Sequence, residues 1–211
     1  MGPSRYHSPR RADAAAATRA EILACAKDLF MTNGYAGTTV PQIARAARVA
    51  VPTVYASTGG KADILAALLA TITDDPASGD VAAAISAVDD PARVIAIVGE
   101  GTWHSHRRHW DTIVGLFPQA RSEPSAAAVH ANILELYQAA IGVVADRLAE
   151  LGGLRPGLSR DEVLDILWFY FGDAAWSSLS LDRGWPLERT RDWLITSATA
   201  ALLGPVAPGP G

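Results

Sequence analysis

Hydrophobic spacing is the feature that most restricts the fold of this chain. Apolar residues recur at positions i, i+3 and i+4 along almost its whole length. The alternation of Val, Ile and Thr with polar residues that marks a half-buried strand is absent from the sequence. Ile22, Ala26 and Phe30, for example, share one face of a first helix. The pattern therefore predicts an all-α protein.

Local signals in the first third predict short helices with defined ends. Thr18-x-x-Glu21 and Thr39-x-x-Gln42 have the spacing of a capping box, in which two side chains bind free N–H groups at a helix start. Asn33-Gly34 predicts the end of the first helix, because glycine readily adopts the left-handed conformation found there. The segments expected next are a turn at residues 47–49, a very short helix at 52–57 and a fourth helix from 61 to about 72.

A stretch rich in Asp, Pro and Ala between residues 74 and 90 marks a boundary between two parts. We predict a disordered arm over residues 1–17, a helical domain over 18–73, a larger helical domain over 74–204 and a disordered tail over 205–211. In the larger domain, Ser159-x-x-Glu162 predicts the start of a helix that continues to about Leu181.

Charge is distributed unevenly along the chain, although the net charge is only −4. Residues 1–72 carry eight basic and four acidic side chains, whereas residues 73–211 carry ten basic and eighteen acidic ones. A basic first third on an acidic body suggests that the first third meets a polyanion. The single cysteine, Cys25, fits a reducing cytoplasm. No apolar run approaches the roughly 18 to 20 residues of a membrane span, so we expect a cytoplasmic protein without a membrane partner.

Three short helices with a tight turn between the second and third are typical of a helix-turn-helix unit. The run GYAGTTVPQIARAARVAVPTVYASTGGKADIL, with the amphipathic helix before it, resembles the N-terminal domain of the TetR family of transcriptional regulators. The positions that match in register are Gly34-Tyr35, Thr38-Thr39, Ile43-Ala44, Val49, Thr53-Val54-Tyr55, Lys61 and Ile64-Leu65. The resemblance implies a regulator, a repressor by expectation, that a small-molecule effector releases from a palindromic operator on double-stranded DNA.

Several positions of this unit are expected to contact DNA. Thr39 and Gln42 stand at a helix N-terminus, where side-chain and backbone groups can hold a phosphate. Tyr55 and Lys61 resemble the phosphate-contacting tyrosine and lysine of the family. The remaining candidates flank the turn or lie on the face that would enter the major groove. The full set is Thr39, Gln42, Arg45, Arg48, Val51, Pro52, Thr53, Tyr55, Ser57 and Lys61.

Three positions depart from the family pattern. Arg48 stands where the family often has glycine, and a left-handed conformation there would cost an arginine roughly 1 kcal/mol. Ala50 replaces the usual Ser or Thr cap of the recognition helix, which costs about 1 kcal/mol. Thr58 replaces a common aromatic residue. These departures keep open an alternative, a helical small-molecule-binding protein with a degenerate, non-specific DNA-binding head.

The remaining two thirds resemble the family in layout, as a helical effector-binding and dimerisation domain. In the family, the last two long helices pair with their copies in a second subunit. The helix predicted from Ser159 is apolar on two neighbouring stripes, which fits burial both inside the subunit and against a partner. We therefore expect a homodimer formed through the last two long helices.

The stretch GTWHSHRRHW, residues 101–110, concentrates aromatic and histidine side chains. His106 and His109 could share a metal on one helix face, but nothing nearby supplies the further ligands of a closed site, so we predict no metal and no cofactor. No catalytic motif is present in the sequence, and an enzyme that uses His106 or His109 as a base is only a third alternative. We expect these aromatics, with others on later helices, to line a pocket for an apolar or aromatic effector, although ordinary core packing would explain the same residues. The set is Trp103, His106, Trp110, Phe117, Tyr137, Trp168, Phe171 and Trp176.

Overall fold

The computed structural model describes residues 9–73 and 76–203. The described residues form helices joined by turns and loops, and the β-structure among them is limited to an isolated bridge between Leu154 and Leu203, which confirms the all-α class. A 3-10 turn, Pro124–Ala126, and a π-helical segment, Ser177–Asp182, connect some of the helices. The α-helices are α1 (Pro9–Gly37), α2 (Val40–Ala46), α3 (Val51–Thr58), α4 (Lys61–Thr73), α5 (Pro76–Ser86), α6 (Pro91–Ser122), α7 (Ala127–Leu151), α8 (Arg160–Phe171), α9 (Asp173–Trp176) and α10 (Leu187–Leu202).

Helix α1 begins upstream of the predicted start. Residues 9–17 are helical, so the prediction of a disordered arm is wrong for them, and residues 1–8 lie outside the described residues. The hydroxyl of Thr18 donates to the carbonyl of Ala14 at 2.9 Å instead of capping a helix. The alanine run at residues 14–17 has the highest helix propensity of any composition and carries the helix past this site. The predicted tail at 205–211 also lies outside the described residues.

Residue contacts divide the chain into two compact units. The first comprises Met1–Thr71 and Gly115–His130, and the second comprises Ile72–Val114 and Ala131–Gly211. The sequence predicts that residues 115–130 belong to the larger domain, 74–204, whereas residue contacts group them with the first unit. Helices α2 and α3 pack on α1 in the first unit. Its fully buried side chains include Ile22, Ala26, Phe30, Ile43, Val54, Ile64, Leu65 and Leu69.

The second unit is held by a core between α6, α7, α8 and α10. Its buried members include Val94, Ile95, Val98, Ile141, Leu148, Val163, Leu167, Leu194 and Ala198. Helix α8 starts with the predicted capping box: Ser159 Oγ accepts from the N–H of Glu162 at 3.2 Å, and Glu162 Oε2 accepts from the N–H of Ser159 at 2.8 Å. The local signal at this helix start is therefore confirmed.

The predicted continuation of this helix to Leu181 is wrong. Helix α8 ends at Phe171, because Gly172 adopts an extended conformation with φ −70° and ψ 158°. A Cβ at Gly172 would lie 2.6 Å from the carbonyl oxygen of Trp168, so the chain direction there depends on glycine. The short helix α9 and the π-helical segment follow this break.

Helix α7 and the turn before it form the segment Pro124–Leu151, which is long and apolar enough to cross a membrane by length and composition. Its most apolar window has a mean hydropathy of 1.3, and 22% of that window is buried within the subunit. Core helices of soluble proteins pass the same test, so this segment alone is weak evidence for a membrane location.

Candidate DNA-binding surface and ligand site

The turn between α2 and α3 is a Schellman motif. The N–H of Val49 donates to the carbonyl of Ala44 at 2.9 Å, and the N–H of Arg48 donates to the carbonyl of Arg45 at 3.2 Å. Arg48 has φ 56°, and it is the one non-glycine residue with positive φ among residues 9–73 and 76–203. Arg48 therefore has the left-handed conformation that the sequence suggested. This conformation costs free energy in any residue with a Cβ atom.

The two helices of this unit begin differently. Helix α2 has the predicted capping box, in which Thr39 Oγ1 accepts from the N–H of Gln42 and Gln42 Oε1 accepts from the N–H of Thr39 at 2.7 Å. Helix α3 has Ala50 at its N-cap position and so lacks a side-chain cap, as its sequence predicts, and Pro52 lies in its first turn. Helix α3 is thus held by packing, with Val54 and Thr58 buried against the rest of the unit.

The ten positions expected to contact DNA all lie between residues 39 and 61 of the first unit. Seven are exposed: Thr39, Gln42, Arg45, Arg48, Pro52, Thr53 and Tyr55. Val51, Ser57 and Lys61 are half-buried. Residues 40–58 contain two arginines and no acidic residue, so α2, the turn and α3 carry a net positive charge. The surface is open, basic and suited to an anionic partner.

Lys61 has a structural task that the sequence did not indicate. Its ammonium group donates to the carbonyls of Tyr35 at 2.8 Å and Thr38 at 3.0 Å, and lies 4.3 Å from the centre of the Tyr35 ring. Because an ammonium group has three donors, one N–H is left for a phosphate. Arg19, which sequence reasoning missed, donates to the carbonyl of Ser57 at the end of α3. No local pattern reveals this contact, because the two residues are 38 positions apart.

Gln119 is a second residue that the sequence did not indicate, and it lies in the first unit. Its Oε1 accepts from the N–H of Tyr35 at 2.5 Å, and its Nε2 donates to the carbonyl of Phe30 at 3.1 Å. Gly34 between them has φ 76° and interrupts α1, as its glycine predicts. The Gln119 amide therefore binds backbone groups on both sides of this break.

The aromatic residues expected to bind a ligand are mostly gathered in the second unit. Phe171 and Trp176 are fully buried in its core, and Trp103, Tyr137 and Trp168 pack against that core. Further ring contacts join Tyr137 to Trp168, with centroids 5.2 Å apart, and His106 to Trp176 and Trp110. Phe117 is separate from this set, because residues 115–130 belong to the first unit and its ring lies 6.3 Å from that of His130.

His106 is buried in the second unit, and its ring contacts those of Trp110 and Trp176. Its ring stacks on Trp176, with centroids 4.6 Å apart and an angle of 18° between the planes. Its Nδ1 lies 2.9 Å from the carbonyl oxygen of Thr102. Burial lowers the pKa of His106 to about 4, with only the Thr102 carbonyl acting in the opposite direction. The imidazole is therefore neutral at physiological pH.

Four polar atoms in the cluster are buried and have no hydrogen-bond partner among the described residues. They are Trp103 Nε1, His106 Nε2, Tyr137 Oη and Trp176 Nε1. Burial, and secondarily the charge of Asp173, raises the pKa of Tyr137, so its phenol stays protonated. Buried polar groups are normally paired, which makes four unpaired ones among the aromatic and histidine residues of the second unit an indication of ligand or solvent sites. Within residues 9–73 and 76–203, no group of three or more potential metal ligands is placed to hold a metal ion.

A family model matches the part of the chain that contains the helix-turn-helix. Residues 22–68 match the model described as bacterial regulatory proteins, tetR family. Residues 22–68 are therefore similar to the N-terminal domain of the TetR family. Comparison with curated proteins gives no match.

Solved structures of TetR-like fold cover most of the chain. FadR from Bacillus subtilis in complex with stearoyl-CoA has a TM-score of 0.71 at 16% identity, covering 86% of this chain and 98% of its own. The SmeT–triclosan complex has a TM-score of 0.71 at 19% identity, with coverage of 92% and 96%. A protein from Saccharomonospora viridis in complex with choline has a TM-score of 0.67 at 17% identity, with coverage of 90% and 100%. At these identities, the likeness concerns the fold.

Proposed function

We propose that this TetR-family protein is a cytoplasmic, homodimeric repressor that binds a palindromic operator and leaves it when a small-molecule effector binds in the second unit. The observation that carries the proposal is the exposed, acid-free surface of α2, the turn and α3, with Arg45 and Arg48 beside the recognition helix. Such a surface fits a helix placed in the major groove, with arginines on the phosphate backbone.

Base recognition would rest on few groups. Thr53 and Ser57 of α3 can hydrogen-bond a base edge, while Val51 and Pro52 can contact a thymine methyl group. Thr39 and Gln42 satisfy each other in the capping box, so phosphate binding at this end of α2 would rely on the backbone N–H groups beside them. We therefore expect much of the affinity to come from phosphate contacts and to depend on salt.

A homodimer is supported by exposed aromatic residues on the last two long helices. Phe169 on α8 is 68% exposed and Trp193 on α10 is 46% exposed, and α8 and α10 pack against each other within the subunit. Trp193 lines an open surface groove of about 600 Å³ with Trp185 and Arg189, and the Arg189 guanidinium stacks 3.8 Å above the Trp185 ring. Large apolar side chains grouped on a surface are typical of an interface, here with a second copy.

Effector binding is supported by the aromatic cluster around His106 and by the ligands of similar folds. The related structures hold stearoyl-CoA, triclosan and choline, so the fold accommodates small molecules of very different chemistry. An effector that binds more tightly to the state with mis-spaced recognition helices lowers operator affinity by that difference in binding free energy. Helix α4, which follows the recognition helix, is the proposed lever.

The test is binding to the DNA immediately upstream of the protein's own gene, titrated against salt and an unrelated competitor. We expect tight binding that survives the competitor, with two protein molecules bound to each palindromic site. Weak binding that the competitor removes, with a steep salt dependence and no preferred sequence, would instead support a small-molecule-binding protein with a non-specific DNA-binding head.

A further inference from the structure

We propose that the cluster around His106 takes a neutral aromatic molecule that carries a hydroxyl group, which donates a hydrogen bond to His106 and accepts one from Trp176. The proposal rests on the proposed function in one respect, since it treats this cluster as the effector site. It goes further by deriving the chemical class of the ligand from the buried atoms that lack partners.

The proton position on His106 follows from its neighbour. Nδ1 lies 2.9 Å from the Thr102 carbonyl oxygen, and a carbonyl can only accept, so Nδ1 carries the hydrogen. In a neutral imidazole the other nitrogen is then an acceptor. His106 Nε2 is therefore a buried lone pair without a partner among the described residues, and a molecule that binds there would pair with it through an O–H or N–H.

Trp176 requires a hydrogen-bond acceptor, whereas His106 requires a donor. An indole N–H can only donate, and within the part of the chain that the structure describes the fully buried Trp176 has no acceptor for its Nε1. The His106 and Trp176 rings are stacked with centroids 4.6 Å apart, so the unpaired acceptor and the unpaired donor lie on neighbouring rings. A hydroxyl group both donates and accepts, as a water molecule does, and can meet both demands. A carbonyl or an ether oxygen leaves His106 Nε2 unpaired.

The surroundings favour a neutral and aromatic ligand. His106 hydrogen-bonds the Thr102 carbonyl, and its ring contacts the rings of Trp110 and Trp176; these three groups are uncharged. A charged ligand group would lose its hydration there without gaining a counter-charge. Two arginines do stack on the ring of Trp103, but Arg191 is already paired with Asp192 and Arg107 is exposed. The flat indole and phenol rings of the cluster fit an aromatic ligand.

The test uses three biphenyl compounds that differ in one substituent, measured by calorimetry with the full-length protein at neutral pH. They are 4-phenylphenol, which can donate and accept, 4-methoxybiphenyl, which can only accept, and biphenyl-4-carboxylate, which is charged. We expect the phenol to bind at least about tenfold more tightly than the ether, because the ether leaves a buried acceptor unpaired. The carboxylate should bind more weakly than the phenol.

Two variants assign the preference to the proposed atoms. His106→Phe keeps a ring against Trp176 but removes the acceptor, so the phenol-to-ether ratio should fall to about one. Trp176→Phe keeps the buried ring and removes the donor, and it should weaken binding of the phenol. Asp111→Asn is the control, because Asp111 is exposed on the same helix, and it should leave the ratio unchanged. Circular dichroism checks that each variant is folded.

Wild-type protein alone can overturn the proposal, whatever the variants do. The proposal fails if the ether or the carboxylate binds as tightly as the phenol, or if none of the three binds at its solubility limit. Operator binding measured in the same titrations separates this result from the proposed function. Selective binding of the phenol with unchanged operator affinity would support the proposed ligand class, but it would contradict the proposal that this ligand is the effector. If another ligand releases the operator and the phenol and the ether bind equally well, the proposed function stands and the proposed ligand class is rejected.

Discussion

Replacing Arg48 with glycine should stabilise the helix-turn-helix, because Arg48 is held at φ 56° in the turn after α2. The left-handed conformation costs a residue with a Cβ roughly 1–2 kcal/mol, which glycine does not lose. Glycine also lowers the free energy of unfolding by about 0.5–1 kcal/mol, because it gives the unfolded chain more conformational entropy. The exposed Arg48 side chain loses little packing. The net expectation is a gain of about 0.5–1 kcal/mol in the free energy of unfolding.

Urea denaturation followed by far-UV circular dichroism measures this gain. Two controls isolate its cause. Arg48→Ala removes the same charge but keeps a Cβ at φ 56°, so it should not be stabilised. Arg45→Gly puts glycine inside the right-handed last turn of α2, where it should cost about 1 kcal/mol. If Arg48→Gly is no more stable than Arg48→Ala, backbone strain at this turn is not what limits its stability.

The same variants test the role of Arg48 in DNA binding. If its guanidinium binds a phosphate, Arg48→Ala and Arg48→Gly should both lower the slope of log affinity against log salt by about 1. The two variants should agree with each other, because they lose the same charge and differ only in the turn. Unchanged slopes in both would remove Arg48 from the DNA contacts.

Further predictions concern the second unit. Gly99→Ala should cost about 1–3 kcal/mol of stability in urea denaturation, because a Cβ there would overlap Ile195, whereas Gly142→Ala, inside α7 and free of overlap, should gain up to about 1 kcal/mol. Stability should fall as pH is lowered from 6.5 to about 4, by at most about 3 kcal/mol, since the unfolded chain protonates His106 there and the folded chain does not. Denaturation of His106→Phe across that range should show a flatter profile, and an identical profile would contradict the lowered pKa. Trp193→Glu should shift the dimer towards monomer in sedimentation and weaken operator binding with helix content unchanged; an unshifted dimer would place the interface elsewhere.

The helix ends show how far local sequence signals reach. The capping boxes at Thr39 and Ser159 formed as predicted, because each depends on atoms within four residues of one another. The same spacing at Thr18 does not mark a helix start, because the alanine run before it has a high helix propensity and is already helical. The uncapped start at Ala50 and the left-handed turn at Arg48 were also readable, since they depend on the residue at one position.

The sequence by itself determined the helical class and the helix-turn-helix, because periodicity and capping are properties of neighbouring residues. Only the tertiary structure decided that Lys61 and Gln119 bind the end of α1, and that buried donors and acceptors of the aromatic residues have no partner in the described ranges 9–73 and 76–203. Whether a polar atom finds a partner depends on residues that are far apart in the chain and meet only through packing. A sequence pattern names the aromatic residues of the second unit, but the unpaired atoms that indicate a ligand exist only once these residues are brought together.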